Sequence, residues 1–189
     1  MSKYPALNIR LLATNAYNPN GGHGLTSPVL RERMIKQLAD GVNVPSPIND
    51  YRVLAAMTRV PRHEFVDAAL SHLAYDNDAL PIGYGQTISQ PYTVARMTEL
   101  LLTHCNPRKV LEIGTGCGYQ AAVLGELCEE VYTVERIEPL SRESGQRLHR
   151  LGYRHVHTLY NDGQLGWPTQ APFDGILFAA MGASISPDL

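Results

Sequence analysis

Apolar positions show no period through residues 1–26, where Asn, Gly and Pro crowd together as in Asn18-Pro19-Asn20-Gly21-Gly22. That stretch predicts an irregular N-terminal arm. A helical period starts at Ser27-Pro28, with Ser as cap, Pro at the first position, and Leu30, Met34 and Leu38 at four-residue steps. The turn Pro45-Ser46-Pro47 separates it from a second helix over residues 50–58, which Val60-Pro61 ends because a residue before proline avoids helical angles. A third short helix is predicted over residues 63–72, and a loop over 75–90. Pro91 then opens a helix whose face carries Val94, Met97 and Leu101.

After Pro107 the pattern changes. Val110-Leu111-Glu112-Ile113 reads as a buried strand, residues 119–127 as a helix, and Val131-Tyr132-Thr133-Val134 as a strand. Residues 139–151 read as a helix closed by Gly152, and 156–160 and 175–179 as two more strands. Strands alternating with helices imply an α/β fold with a parallel sheet.

Composition narrows the classes. In 189 residues, 44% are hydrophobic and 18% charged, enough for one packed domain and unlike a disordered tail. Sixteen Lys and Arg against eighteen Asp and Glu give a net charge of −2, which argues against a nucleic-acid partner, since such domains are strongly basic. No apolar run reaches the ~20 residues of a membrane span, and no secretory signal pattern is present. Cys105, Cys117 and Cys128 lack the spacing of a disulfide framework or zinc ribbon. The reading is a cytoplasmic protein without a metal site.

The strongest local signal is Glu112-Ile113-Gly114-Thr115-Gly116-Cys117-Gly118, between a strand and a helix. Glycines keep such a turn tight and let backbone approach a ligand. The dinucleotide pattern G-x-G-x-x-G fails, because Tyr119 stands where its last small residue belongs. Glu112 would repel a pyrophosphate but attract the α-ammonium of S-adenosyl-L-methionine. Glu135 ends the second strand about 20 residues past Gly114, placed to accept from ribose hydroxyls. Asp162, in Asn161-Asp162-Gly163 after the third strand, is placed to accept from the adenine amino group. Each acid alone reads equally well as a turn or helix cap. Three at successive strand ends beside a glycine loop favour an adenosine site.

Further segments carry a resemblance. Val60-Pro61-Arg62-His63-Glu64-Phe65-Val66, residues 79–92 with Gly85-Gln86-Thr87-Ile88-Ser89-Gln90-Pro91, Val134-Glu135-Arg136-Ile137, Gly166-Trp167 and Ala171-Pro172-Phe173-Asp174 resemble the protein-L-isoaspartate O-methyltransferase family over about residues 25–184. The Gly85–Pro91 segment is the specific part. The resemblance implies a Rossmann-like class I S-adenosylmethionine-dependent methyltransferase with helices on both sheet faces. It implies methylation of the α-carboxylate of L-isoaspartyl residues in damaged proteins and peptides, the first step of their repair. It assigns Ser89 to the active site, although Ser89 beside Pro91 also stands where a helix cap would. It assigns Ile88, Glu112, Gly114, Glu135 and Asp162 to the cofactor, with Thr115, Gly116, Gly118, Tyr119, Arg136 and Gly163 as flanking candidates. The expected layout is the arm over 1–26 and a methyltransferase domain over 27–189, divided into a helical part (27–106) and a cofactor-binding part (107–189).

Three positions depart from the family pattern. Cys117 replaces a common serine, Asn161 replaces a glycine, and Phe178-Ala179-Ala180-Met181-Gly182 is bulkier than usual. The resemblance implies seven strands where four are read. The expectation is therefore a C-terminally truncated member, a monomer by family but open to association through an exposed last strand. Two other readings stand beside this one: a methyltransferase for another acceptor, and a chain that binds cofactor without turnover. His155 and His157 share a strand face and could touch a metal, though two histidines are too few to define a site. Arg142, Arg147 and Arg150 read as a solvated helix face, and Trp167 as packing.

Overall fold

The computed structural model describes residues 27–180, 186 and 189. The arm predicted over 1–26, and Met181 and Gly182 of the bulky run, lie outside the described residues.

The helical half follows its turn chemistry. Helix α1 (Ser27–Asp40) buries Met34, Ile35 and Leu38. Helix α2 (Tyr51–Arg59) begins at Asp50, whose carboxylate accepts from the Arg52 N–H at 2.9 Å, and ends at extended Val60 ahead of Pro61. Helix α3 (Pro91–His104) carries proline in its first turn and buries Val94, Ala95, Thr98 and Leu102. Met97 and Leu101 are only partly buried, so the inward face is turned slightly from the one read in the sequence. The buried carboxylate of Glu99 accepts from the backbone N–H groups of Asn49 and Asp50 and pairs with Arg96, tying the start of α2 to α3.

Strands β3 (Lys109–Ile113), β4 (Glu130–Glu135), β5 (Val156–Tyr160) and β6 (Gly175–Phe178) form one parallel sheet, in the order β5-β4-β3-β6. Helix α4 (Tyr119–Gly125) joins β3 to β4, and α5 (Glu138–Arg150) joins β4 to β5. Residues alternate between the two faces. Val110, Val131, Val156 and Leu177 enter the main core with α1 to α5. Leu111, Ile113 and Val134 face the other way, against Tyr132, Trp167 and Phe173. The predicted parallel α/β sheet is present. Among the described residues, Trp167, Phe173 and Leu189 pack on its second face, and no α-helical residue joins that cluster.

Two sequence expectations change. Residues 63–72 form two 3-10 turns, Arg62–Phe65 and Ala68–Leu73, because Val66 is extended and Asp67 restarts the chain by accepting from the Ala69 N–H. The loop over 75–90 contains an antiparallel hairpin, β1 (Leu80–Gly83) with β2 (Gln86–Ile88). Its turn residues Tyr84 and Gly85 both have positive φ, +54° and +69°, the signature of a tight hairpin turn.

Candidate functional site

The strand order reverses at β3: β4 and β5 lie to one side and β6 to the other. Open parallel sheets bind ligands at the carboxyl ends of strands beside such a reversal. The glycine loop leaves β3 at that point. The Gly114 N–H donates to the Val134 carbonyl at 2.8 Å, and the Gly118 N–H to Thr115 at 2.8 Å. Gly114 (φ +94°) and Gly118 (φ +91°) take left-handed angles that L side chains disfavour. At Gly114 there is also no room: a Cβ would stand 2.5 Å from the Ala180 Cβ.

Glu112 points into the main core beneath this loop, with 0% exposure. Its Oε2 accepts from the Thr133 hydroxyl at 2.5 Å, and Thr133 Oγ1 is 2.6 Å from Thr115 Oγ1. With Thr133 donating to the carboxyl, Thr115 donates to Thr133. The second carboxyl oxygen, Oε1, is buried without a hydrogen-bond partner among the described residues. Burial pushes the Glu112 carboxyl up to about 8; the Thr133 bond opposes that rise and nearby Glu135 adds to it.

Glu135, 6% exposed, spans the loop from β4. Its Oε2 accepts from the Gly116 N–H at 2.8 Å and its Oε1 from the Ile137 N–H at 2.9 Å. A carboxylate has about four lone-pair positions, so two remain for hydroxyl donors. Asp162 is exposed at the end of β5 and caps the following turn, accepting from the Gln164 N–H at 3.1 Å. Asn161, at the departure from the family pattern, folds its side chain back to accept from the Asp162 N–H. Gly163 lies so close to β3 that a Cβ would stand 2.6 Å from Ile113 Cγ2. The three acids therefore gather at the carboxyl ends of β3, β4 and β5.

The hairpin closes one side. Ile82 Cδ1 would stand 3.3 Å from a Cβ at Gly116, and the hairpin ends at buried Ile88, followed by half-buried Ser89. Gln90, not Ser89, occupies the N-cap of α3, and no side chain caps that helix. The capping role weighed for Ser89 is not the one it takes.

Two flanking candidates differ in where their side chains lie. The Tyr119 ring is buried against Arg62 and Phe65, away from solvent, and burial pushes its hydroxyl up to about 12. The Arg136 side chain is exposed. His155 and His157 diverge: His155 Nε2 meets the Gly125 carbonyl, while His157 stacks on Tyr132 and meets Glu130. No group of metal-ligating side chains forms among the described residues. An open groove of about 510 Å³ beside β5, lined in part by Tyr132, His149, His157 and Trp167, contains none of the loop residues.

Sequence reasoning missed Thr133, and it read Arg147 only as part of a solvated helix face. Arg147 donates to the Cys117 carbonyl at 2.9 Å and braces the loop from α5. A hydroxyl residue at an inward position of a buried strand was the available signal for Thr133.

Glycine loop, buried acid and strand-end carboxylates on this sheet define a class I methyltransferase of Rossmann-like topology. The family described as protein-L-isoaspartate(D-aspartate) O-methyltransferase matches residues 31–189. The chain belongs to that family. It is 52% identical to the protein-L-isoaspartate O-methyltransferase of Alcanivorax borkumensis over 89% of this chain and 74% of that one. It is 50% identical to protein-L-isoaspartate O-methyltransferase 1 of Marinobacter nauticus over the same shares. Among solved structures, one titled protein-L-isoaspartate O-methyltransferase superposes with TM-score 0.71 at 25% identity, covering 84% of this chain and 50% of that one. A Plasmodium falciparum protein titled as a putative member, in complex with S-adenosyl-L-homocysteine, superposes with TM-score 0.68 at 19% identity, covering 84% and 75%, a likeness of fold.

Proposed function

We propose that this chain transfers a methyl group from S-adenosyl-L-methionine to the α-carboxylate of L-isoaspartyl residues in damaged proteins and peptides. The observation that carries the reading is the Glu112 carboxyl, enclosed beneath the glycine loop with one oxygen unpartnered among the described residues. No described cation pairs with it, and an ammonium group would satisfy that oxygen and hold the carboxyl ionised. Glu112 would hold the amino group, Glu135 the ribose hydroxyls, and Asp162 the adenine edge, with Gly114 and Gly116 bringing backbone close. When bound, S-adenosyl-L-methionine supplies an electrophilic methyl group on sulfur.

The rest falls to the chain. An isoaspartyl α-carboxylate has a reference pKa of ~3.3–3.7 and is ionised at neutral pH, so no strong base is required. Ser89 donates a hydrogen bond that orients the carboxylate, and the hairpin excludes water from it. In this reading residues 107–189 hold the cofactor and 27–106 the acceptor side, and the chain works in the cytoplasm. Among the described residues no helix is long and apolar enough to cross a membrane.

The test is transfer of labelled methyl to an isoaspartyl peptide and to its aspartyl twin. Base-labile label in the first alone is expected. Label in neither, from folded protein that binds S-adenosyl-L-homocysteine, overturns the proposal.

A further inference from the structure

Arg62 is fully buried, yet no carboxylate of the described residues pairs with it. Its Nε donates to the Ala74 carbonyl at 2.8 Å and its Nη2 reaches the Asp78 carbonyl at 3.4 Å. Its guanidinium lies over the Tyr119 ring, 4.8 Å from the centroid, and Nη1 has no hydrogen-bond partner among the described residues. Burying a charge without an acid costs several kcal/mol. The ring face takes up part of the charge, and the two carbonyls use the planar fork, with donors in fixed directions that an ammonium cannot reproduce.

The two ends of this contact belong to separate segments, each adjoining a part of the site. Tyr119 is the first residue of α4, directly after the glycine loop, and its ring is also pinned edge-on by Phe65 at 5.5 Å. Ala74 to Asp78 is the segment that feeds the hairpin. It is held a second time by Asn77, whose Oδ1 accepts from the Tyr92 N–H at 2.9 Å in the first turn of α3. Ser89 lies between that turn and the hairpin. The contacts therefore run from α4 through Arg62 to the 74–78 segment, and from Asn77 to the helix that follows Ser89.

We propose that Arg62 is a positioning residue, which together with Asn77 sets the separation between the glycine loop and the Ile88–Ser89 segment, and so the approach of the acceptor carboxylate. The inference rests on the methyl-transfer reading for its kinetic consequence, but the positioning itself is measurable without it. Displacements of about 1 Å in such an approach cost about 100-fold in rate.

The experiment compares the full chain with Arg62→Lys, which keeps the charge and loses the fork, and with Asn77→Ala, which cuts the second link at a half-buried side chain. The first readout is the methyl-NMR contact between Ile82 Cδ1 and the Gly116 Hα. It is expected to weaken in both variants. S-adenosyl-L-homocysteine affinity should stay within about threefold, because Glu112 and Glu135 are held by the sheet. The second readout is turnover of an isoaspartyl peptide per folded molecule. Here kcat is expected to fall about 10- to 100-fold with little change in the cofactor KM. Variants that lose only thermal stability, with the Ile82–Gly116 contact and kcat per folded molecule as in the parent chain, overturn the proposal. If the parent chain itself methylates nothing, the methyl-transfer reading fails, and the NMR contact alone decides the positioning role.

Discussion

The Thr133 hydroxyl stands 2.5 Å from Glu112 Oε2 and is the one hydrogen-bond donor that this enclosed carboxyl has among the described residues. Such a carboxyl keeps its proton until a cation arrives. Below pH about 8, cofactor binding must expel that proton. The affinity for S-adenosyl-L-homocysteine should therefore tighten toward about tenfold per pH unit between about pH 6 and 8, then level off. Calorimetry in buffers of different ionisation enthalpy should register close to one proton released per ligand at pH 6.5. Thr133→Val removes a bond that favours ionisation and should move the plateau to higher pH.

The same carboxyl sets the sign of a stability trend. Glu112 holds its proton up to about 8 when folded, against an ordinary value of 4.5, so the folded chain binds more protons in that window. Its contribution to stability is fully present below pH 4.5 and is lost as pH rises toward about 8. Glu112→Gln keeps an acceptor for Thr133 and cannot ionise. It should flatten that slope in urea titrations while weakening ligand binding about 10- to 100-fold, the scale of one charge-assisted hydrogen bond.

Glu135 makes two bonds to backbone N–H groups, at Gly116 and Ile137. Glu135→Ala leaves both donors without that acceptor and removes the candidate ribose contact. A loss of about 1–3 kcal/mol in folding stability and a ligand affinity at least about tenfold weaker are expected. Unchanged affinity in calorimetry would remove Glu135 from the ribose site.

Two glycines with nearly the same φ separate crowding from strain. Gly114 (φ +94°) faces Ala180, whereas Gly152 (φ +91°) has nothing within 4 Å of a would-be Cβ. Gly152→Ala should cost only the left-handed penalty, about 1–2 kcal/mol. Gly114→Ala adds a steric overlap at the end of β6 and should lower the thermal midpoint further and abolish ligand binding.

Ser89 leaves the α3 cap to Gln90. Ser89→Ala should thus leave the melting temperature within about 2 °C, without the ~1 kcal/mol that losing a cap costs, and lower kcat about tenfold. A large drop in melting temperature with unchanged kcat would return Ser89 to a structural role.

The parts legible in the sequence are those that local chemistry decides. Asp50 and Val60-Pro61 bound α2, Pro91 opens α3, and Gly114 to Gly118 turn the chain between β3 and α4. The hairpin escaped because its strands are only four and three residues long and its turn places a tyrosine, Tyr84, at positive φ. The break at Val66 escaped because helical period alone does not register the restart at Asp67. The strand-end positions of the three acids are legible from spacing. The Thr133–Glu112 bond is not, since it depends on the register that sets Glu112 opposite Thr133. The direction of the Tyr119 ring is not legible for a similar reason: proximity to the loop in sequence says nothing of it, and buried Arg62 and Phe65 decide it.

Strands β3, β4 and β5 succeed one another through single helices, but β6 returns across them to pair with the far side of β3. That pairing sets Val110 beside Gly175, far more distant in sequence than Val131, its partner on β4, so it closes the larger loop and carries the greater entropy cost before any contact repays it. On the ribosome β6 emerges after the other described strands. Until then the Ile113 carbonyl lacks the N–H groups of Ala179 and Ala180 that meet it in the finished fold. The nascent chain thus carries a glycine loop without the wall that Ala179 and Ala180 supply, and ligand capture follows the arrival of β6. Pulse-labelled hydrogen exchange during refolding should show β4 amides protected before those of Leu177 to Ala180, with added ligand leaving the early phase unchanged and slowing only the final opening.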